Sequence, residues 1–285
     1  KKTIHGKTVR MLAYNGSIPG PILKVPQGAT ITVDFVNDTD VATSIHSHGI
    51  RLENKFDGSH LVQDPVQPGD SFLYSIHFPD AGVYWYHPHF RADYAQDMGL
   101  AGNFWVVPET TTSMDQPFHR QELVMIDDLL MNDDGILPYS SQMATRTLMG
   151  RFGNVMLVNG KTDYQLDLQK NEVVRFAFTN SANTRVFRIA IPGAQMKLVG
   201  GDGGLMEHEQ FVNAVIISPS ERVIVDVMFP TSGEYSLLHQ NPESTYTLGT
   251  LMVKDTLIAP SLHQAFSVLG SNPELIDWRK THSGF

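Results

Sequence analysis

Ser71-Phe72-Leu73-Tyr74-Ser75-Ile76-His77-Phe78 places Phe72, Tyr74, Ile76 and Phe78 at every second position, and Pro79-Asp80-Ala81-Gly82 then breaks the run. Period two puts those four side chains on one face of an extended strand; a helix would repeat them every three to four residues. Upstream, Ala29-Thr30-Ile31-Thr32-Val33-Asp34-Phe35 does the same with Ile31, Val33 and Phe35. Pro68-Gly69-Asp70 and Pro79-Asp80-Ala81-Gly82 carry turn chemistry. Long amphipathic helical patterns are scarce. Short alternating strands between turns predict an all-β sandwich.

Working outward, the same pattern returns about 145 residues later. Asn15-Gly16 is answered by Asn159-Gly160. Ile31, Val33, Phe35 and Asn37 are answered by Val174, Phe176, Phe178 and Asn180. Phe72, Tyr74, Ile76, Phe78, Pro79 and Gly82 are answered by Val223, Val225, Val227, Phe229, Pro230 and Gly233. Three blocks in the same order predict two copies of one sandwich, comfortable for a chain of 285 residues. The expected division is a first domain over 1–108, a polar linker over 109–117 containing Thr110-Thr111-Thr112-Ser113, and a second domain over 118–255. The remaining stretch, 256–285, reads as a connector. Its apolar part, Leu262 to Leu269, is expected to form a short helix, and Arg279 to Phe285 is polar.

Composition narrows the chemistry. The net charge of −9 argues against nucleic acid or an anionic membrane surface as partner. No run of 18 apolar residues is present to span a bilayer, and no signal-peptide pattern follows Lys1-Lys2. There is no cysteine. Disulfides, thiolate zinc sites, cysteine nucleophiles and His₂Cys blue-copper centres are thereby excluded within these residues. A transition-metal site must use histidine, carboxylate or methionine.

Two His-x-His pairs meet that requirement: His46-Ser47-His48 and His87-Pro88-His89. With 12 histidines in 285 residues, chance supplies about 0.5 such pairs, so one alone would say little. Both lie in the first copy of the repeat. In the second copy, Leu238 and Gln240 stand opposite His87 and His89. The fold is thus held constant while the imidazoles vary. On a strand, residues i and i+2 share a face ~6.5–7 Å apart, a spacing that serves two neighbouring ions better than one. Val83, Trp85, His87 and His89 then share a face, with Trp85 beneath the site, and Pro88 marks the strand end. Four imidazoles without thiolate suit copper, with zinc, nickel and iron as alternatives. Idle, solvated histidines at strand ends have the same spacing.

Several stretches together resemble the multicopper oxidase family, in its bacterial, laccase-like, three-domain form. Ile45-His46-Ser47-His48-Gly49-Ile50 is similar to its His-x-His-Gly signature. Gly82-Val83-Tyr84-Trp85-Tyr86-His87-Pro88-His89 is similar to its second His-x-His motif. Asp57-Gly58, Pro65, Val66-Gln67-Pro68-Gly69-Asp70-Ser71-Phe72, Gly99-Leu100-Ala101-Gly102 and the opening Tyr14-Asn15-Gly16-Ser17-Ile18-Pro19-Gly20-Pro21 agree with the same pattern. The resemblance implies two tandem cupredoxin-like Greek-key β-sandwiches. It implies that His46 binds a type 2 copper and that His48, His87 and His89 bind the type 3 pair. It implies that O2 is reduced to water by four electrons drawn from a small reducing substrate, a phenol or a metal ion, because a cluster can deliver electrons in groups. Asp57 matches an acidic residue that supplies protons and orients a ligand there. An Asp-Gly turn needs no copper at all.

The family cluster uses eight histidines, and four are present. The rest, with the electron-entry cysteine, come from a His-x-His and a His-Cys-His run absent here. A third domain or another subunit is the expected source. His5, His60, His77, His119, His208, His239, His263 and His282 form no further pair. His77 lies on a polar strand face and is expected to be solvated. The lack of cysteine excludes a two-domain copper nitrite reductase. A non-catalytic cupredoxin-fold scaffold, or a copper-binding protein of the cell envelope, is the alternative function. Met125, Met131, Met143, Met149 and Met156 are expected to be ordinary packing residues, although thioethers can gather Cu(I). The resemblance implies export to the periplasm, cell surface or medium. Homo-oligomerisation is left open.

Overall fold

A computed structural model of the chain describes residues 1–109 and 116–282. The expected linker residues Thr110 to Ser113 and the terminal Ser283, Gly284 and Phe285 lie outside the described residues. The architecture is the all-β pair of sandwiches predicted above. In the first, Thr30–Val36 runs antiparallel to Ser71–His77, with Ile31 opposite Ile76, Val33 opposite Tyr74 and Phe35 opposite Phe72. The facing sheet has four strands, in the order Leu23–Pro26, Gly102–Val107, Gly82–His87, His46–His48. Tyr74, Ile76, Phe78, Tyr84, Tyr86 and Phe104 meet between the sheets. Ile31 and Val33 stay half-buried, beside a cleft of about 650 Å³ that opens between the sheets.

The second sandwich builds an equivalent ladder. Val173–Asn180 runs antiparallel to Arg222–Met228, with Val174 opposite Val227, Phe176 opposite Val225 and Phe178 opposite Val223. Here the sheets are larger, six strands facing five. Arg120–Leu129 lies parallel to Val173–Asn180 on its other side. Both central strands are buried along their whole length.

Buried clusters join the two bodies: Ile4 and Val9 pack with Leu129, Met131, Val155 and Leu157, and one strand is shared more fully. Gly82–His87 sends Tyr84 and Tyr86 into the first core. Its opposite face does not meet water. Val83 packs with Leu123, Ala177, Val199 and Ile224, and Trp85 packs with Ala101 and Met125. Full burial of such side chains stabilises by about 1.5–3 kcal/mol each. Polar links cross the same seam: Asn103 donates to Thr179 Oγ1 at 2.8 Å, and Gln96 donates to the Ser181 carbonyl at 2.7 Å.

The last stretch is more ordered than a plain connector. A short helix, His263–Phe266, appears inside the expected apolar patch, and Phe266 is buried against Val173 and Met228. A second helix, Pro273–Thr281, follows. Asn272 caps it by accepting from the Leu275 N–H, with Pro273 at its first turn. The methionine expectation holds in part. Met125 and Met131 are buried and Met156 is half-buried, but Met143 and Met149 are exposed on the helix Met143–Met149. A seven-residue surface helix has no second layer to cover them.

Beside the seam, Asp97 accepts from Tyr139 Oη at 2.8 Å, Arg151 Nε at 3.2 Å and Asn183 Nδ2 at 3.0 Å. Burial pushes its carboxyl up to about 6 against the pull of the Tyr139 and Arg151 donors, and Asp128 nearby adds to the rise. A carboxyl raised in the fold contributes stability that is complete below its unfolded value and lost as the pH climbs through its folded one. Asp97→Asn removes that titration. Between pH 4 and pH 7 its stability relative to the parent should improve by up to roughly 3 kcal/mol in urea melts. A difference that does not move with pH contradicts this.

Candidate metal centre

The two His-x-His segments become neighbouring strands. His46–His48 pairs antiparallel with Gly82–His87, so that His46 faces His87 and His48 faces Trp85. Ser47 and Tyr86 point into the first sandwich, and the imidazoles point out of it, toward the seam. Pairing between strands, more than spacing along one, sets the geometry. Ring centroids within each pair lie 5.5 Å apart for His46 and His48, and 6.2 Å for His87 and His89. Across the strands, His46 is 5.3 Å from His87 and 4.8 Å from His89. His48 Nδ1 lies 3.3 Å from His87 Nε2.

Local contacts fix the ring orientations. His46 Nδ1 lies 2.8 Å from the backbone carbonyl of Asp57, to which it donates, leaving Nε2 free. His87 Nδ1 lies 2.9 Å from the Pro88 carbonyl in the same sense. This N–H···O=C restraint on the rear nitrogen is the arrangement that orients a metal-binding imidazole. Trp85, fully buried, stacks beneath His87 at 4.0 Å and 21°. Its indole N–H finds no hydrogen-bond partner among the described residues.

The Asp57 loop is docked and not a free turn. Ser44 Oγ donates to the Gly58 carbonyl at 2.6 Å. Gly58, at φ +78°, lies so close to the preceding strand that a Cβ there would sit 2.1 Å from the Ile45 carbonyl oxygen. The Asp57 carboxylate is 35% exposed and approaches His46 Nδ1 to 3.5 Å. It therefore touches both solvent and the imidazole.

Desolvation favours the neutral form of His46, His48 and His87. Burial pushes His48 down to about 4, helped by the positive charge of Arg222 and by the crowding of neighbouring imidazoles. Burial likewise lowers His87 well below its ordinary value, and lowers His46 against the opposing pull of Asp57. A neutral imidazole with a free lone pair is what a metal requires. His46, His48 and His87 bring ligand atoms within 4.8 Å of one another, and His89, more exposed, completes the ring of four. The set fits copper: the donors are all imidazole, and none is a thiolate. Two nitrogens bound at about 2.0 Å to one tetrahedral ion would lie about 3.3 Å apart, which is the His48–His87 separation.

The other histidines stay apart from this group. His77 is exposed and shares a hydrogen bond with Thr30 Oγ1, as expected for a solvated position. His239 is buried in the second sandwich, where Nδ1 accepts from the Arg188 N–H and the ring stacks on Tyr246. One contributor gave no signal in the sequence: Arg222 of the second sandwich, whose Nε donates to the Val83 carbonyl at 3.3 Å.

A family model described as multicopper oxidase matches residues 1–111, and a second with the same description matches residues 85–255. The chain belongs to the multicopper oxidase family. Copper resistance protein A of Pseudomonas syringae pv. tomato is 27% identical over 90% of this chain and 49% of its own length. A multicopper oxidase of Mycobacterium tuberculosis is 28% identical over 80% of this chain and 49% of its own. Among solved structures, a multicopper oxidase from Pseudomonas thermotolerans superposes with a TM-score of 0.75 at 31% identity. It covers 86% of this chain and 58% of that one. A Campylobacter jejuni multicopper oxidase, described as a metallo-oxidase, gives 0.75 at 28% identity, covering 87% and 54%. The chain thus spans about half the length of the curated relatives it matches.

Gly58→Ala tests whether the Asp57 loop is held as described. The collision with Ile45, added to the left-handed backbone, should cost about 3 kcal/mol in chemical denaturation. A loss below about 1 kcal/mol would show the loop free to move away from His46.

Proposed function

We propose that this chain supplies half the ligands of a copper centre in an oxidase that couples one-electron oxidation of a donor to four-electron reduction of O2 to water. The observation that carries this reading is the meeting of four imidazoles from two paired strands, with His48 Nδ1 and His87 Nε2 3.3 Å apart. His46 is assigned to a type 2 copper and His48, His87 and His89 to a type 3 pair, following the family motif. Copper held there would supply the electron transfer that protein side chains cannot.

The chain's own residues do the rest. The Asp57 and Pro88 carbonyls hold the His46 and His87 rear nitrogens, so that Nε2 of each faces the shared space. Trp85 and the second sandwich exclude water from behind. The Asp57 carboxylate, 35% exposed and 3.5 Å from His46, is assigned to pass protons toward the centre. The remaining ligands and an electron-entry site are assigned to a third domain, for which 256–285 is the connector, or to another subunit. A scaffold with no metal to bind would have no need to bury His87 and hold it neutral, an arrangement that costs solvation.

The donor is a phenol or a metal ion. Exposed Met143 and Met149 offer soft sulfur at the surface, which supports a metal donor such as Cu(I). Export is assigned on family grounds, and no helix among the described residues is long and apolar enough to cross a membrane.

The test is O2 consumption by copper-loaded protein with a phenol or Cu(I) as donor. It is run on this chain and on a polypeptide that continues it into a His-x-His and a His-Cys-His segment. Uptake is expected from the longer polypeptide, and a loss of at least about 100-fold in its His46→Ala and His87→Ala variants. O2 consumption indifferent to both substitutions contradicts the proposal.

A further inference from the structure

Arg222 belongs to the second sandwich, yet its side chain ends among the histidine-bearing strands of the first. It is buried, with 3% of the side chain exposed. Nε donates to the Val83 carbonyl at 3.3 Å, four residues before His87. Nη2 lies against Gly49, the residue after His48: a Cβ at position 49 would stand 2.6 Å from it, and Gly49 adopts φ +85°. The guanidinium Cζ lies 6.0 Å from the centroid of the Tyr84 ring. Behind it, Nη1 donates to the Ser220 carbonyl at 3.0 Å and meets Asp202 Oδ1 at 2.9 Å. Glu221 adds a weaker attraction, and the carboxylate in direct contact is Asp202, half of whose side chain (51%) faces water. Its negative charge is therefore spread into solvent, and the buried positive charge is compensated only in part.

Two consequences follow. The glycine of the His-x-His-Gly segment suits this place on two counts: its φ of +85° disfavours a side chain, and Arg222 of the other domain fills the space one would take. The histidine site also carries a fixed cation on its rear side, in surroundings where charges act over longer range than in water.

We propose that Arg222 is a positioning residue of the copper centre. It fixes the His46–His48 and Gly82–His87 strands relative to each other, and it sets a positive charge behind His48 that favours Cu(I) over Cu(II). The proposal rests on the reading of the four histidines as copper ligands. The principle is electrostatic: a fixed positive charge destabilises the more highly charged ion more.

The experiment measures binding of Cu(I) and Cu(II) separately to this chain, each in competition with a chelator of known affinity. The variants are Arg222→Met, Arg222→Lys and Asp202→Asn. Arg222→Met should move the ratio of Cu(I) to Cu(II) affinity about tenfold toward Cu(II), equivalent to about 60 mV for one electron. Arg222→Lys keeps the charge and should stay within about threefold of the parent. Asp202→Asn, a change at the surface that keeps an acceptor oxygen, should move the ratio the other way. Should Arg222→Met fail to fold, Asp202→Asn decides alone. Equal behaviour of the Met and Lys variants, or no movement in Asp202→Asn, overturns the proposal. The copper reading fails separately and earlier, in the parent, if it binds no copper or if His48→Ala with His87→Ala leaves binding unchanged; the proposal falls with it.

Discussion

Gly82–His87 has no solvent face. Most strands of a two-layer sandwich bury one side and wet the other, but here Tyr84 and Tyr86 fill the first core while Val83 and Trp85 are covered by the second sandwich. That double burial fixes the strand in both directions. It also means that the imidazole emerging at its end does so from a rigid, dry platform, with Trp85 stacked directly beneath His87. Neighbouring His46–His48 takes its register from this strand alone within the sheet, so the convergence of the histidines is inherited from the packing of Gly82–His87.

From that constraint the site's electrostatics follow. Imidazoles placed at a seam between two bodies lose water, and the neutral form wins for His46, His48 and His87. Rear nitrogens tied to backbone carbonyls leave the opposite nitrogens turned toward a common space. The second sandwich, which holds none of the four histidines, still shapes the centre. It covers Trp85, places a buried guanidinium behind His48, and crowds the position of Gly49. A domain that holds none of the four histidines thus contributes packing and charge to their surroundings.

The fold was readable because burial wrote itself into the sequence. Ile31, Val33 and Phe35 alternate with polar residues because one face of Thr30–Val36 is turned inward. Val173–Asn180 is buried on both faces and still reads as a strand through its β-branched and aromatic residues. The four histidines were legible as candidates, since the second sequence block holds leucine and glutamine where the first holds His87 and His89. Their meeting was legible only through the family resemblance, because strand pairing depends on long-range register that residue spacing does not encode. The helix Pro273–Thr281 escaped notice because Leu275, Ile276 and Trp278 form no apolar stripe, although Asn272-Pro273 is a capping signal. Met143 and Met149 lie exposed against expectation because composition does not say which short helices lie on the surface. Arg222 was invisible, since no local pattern tells which side chain of one domain enters another.

Everything rests on a spatial arrangement: the ends of two paired strands bring His46, His48, His87 and His89 together. Anomalous diffraction at the copper edge, from crystals of this chain grown with copper, tests it most directly. The account predicts copper peaks within bonding distance of nitrogens from both His-x-His segments, with His48 and His87 sharing an ion. Copper bound elsewhere, with the two segments' imidazoles turned apart, would contradict it.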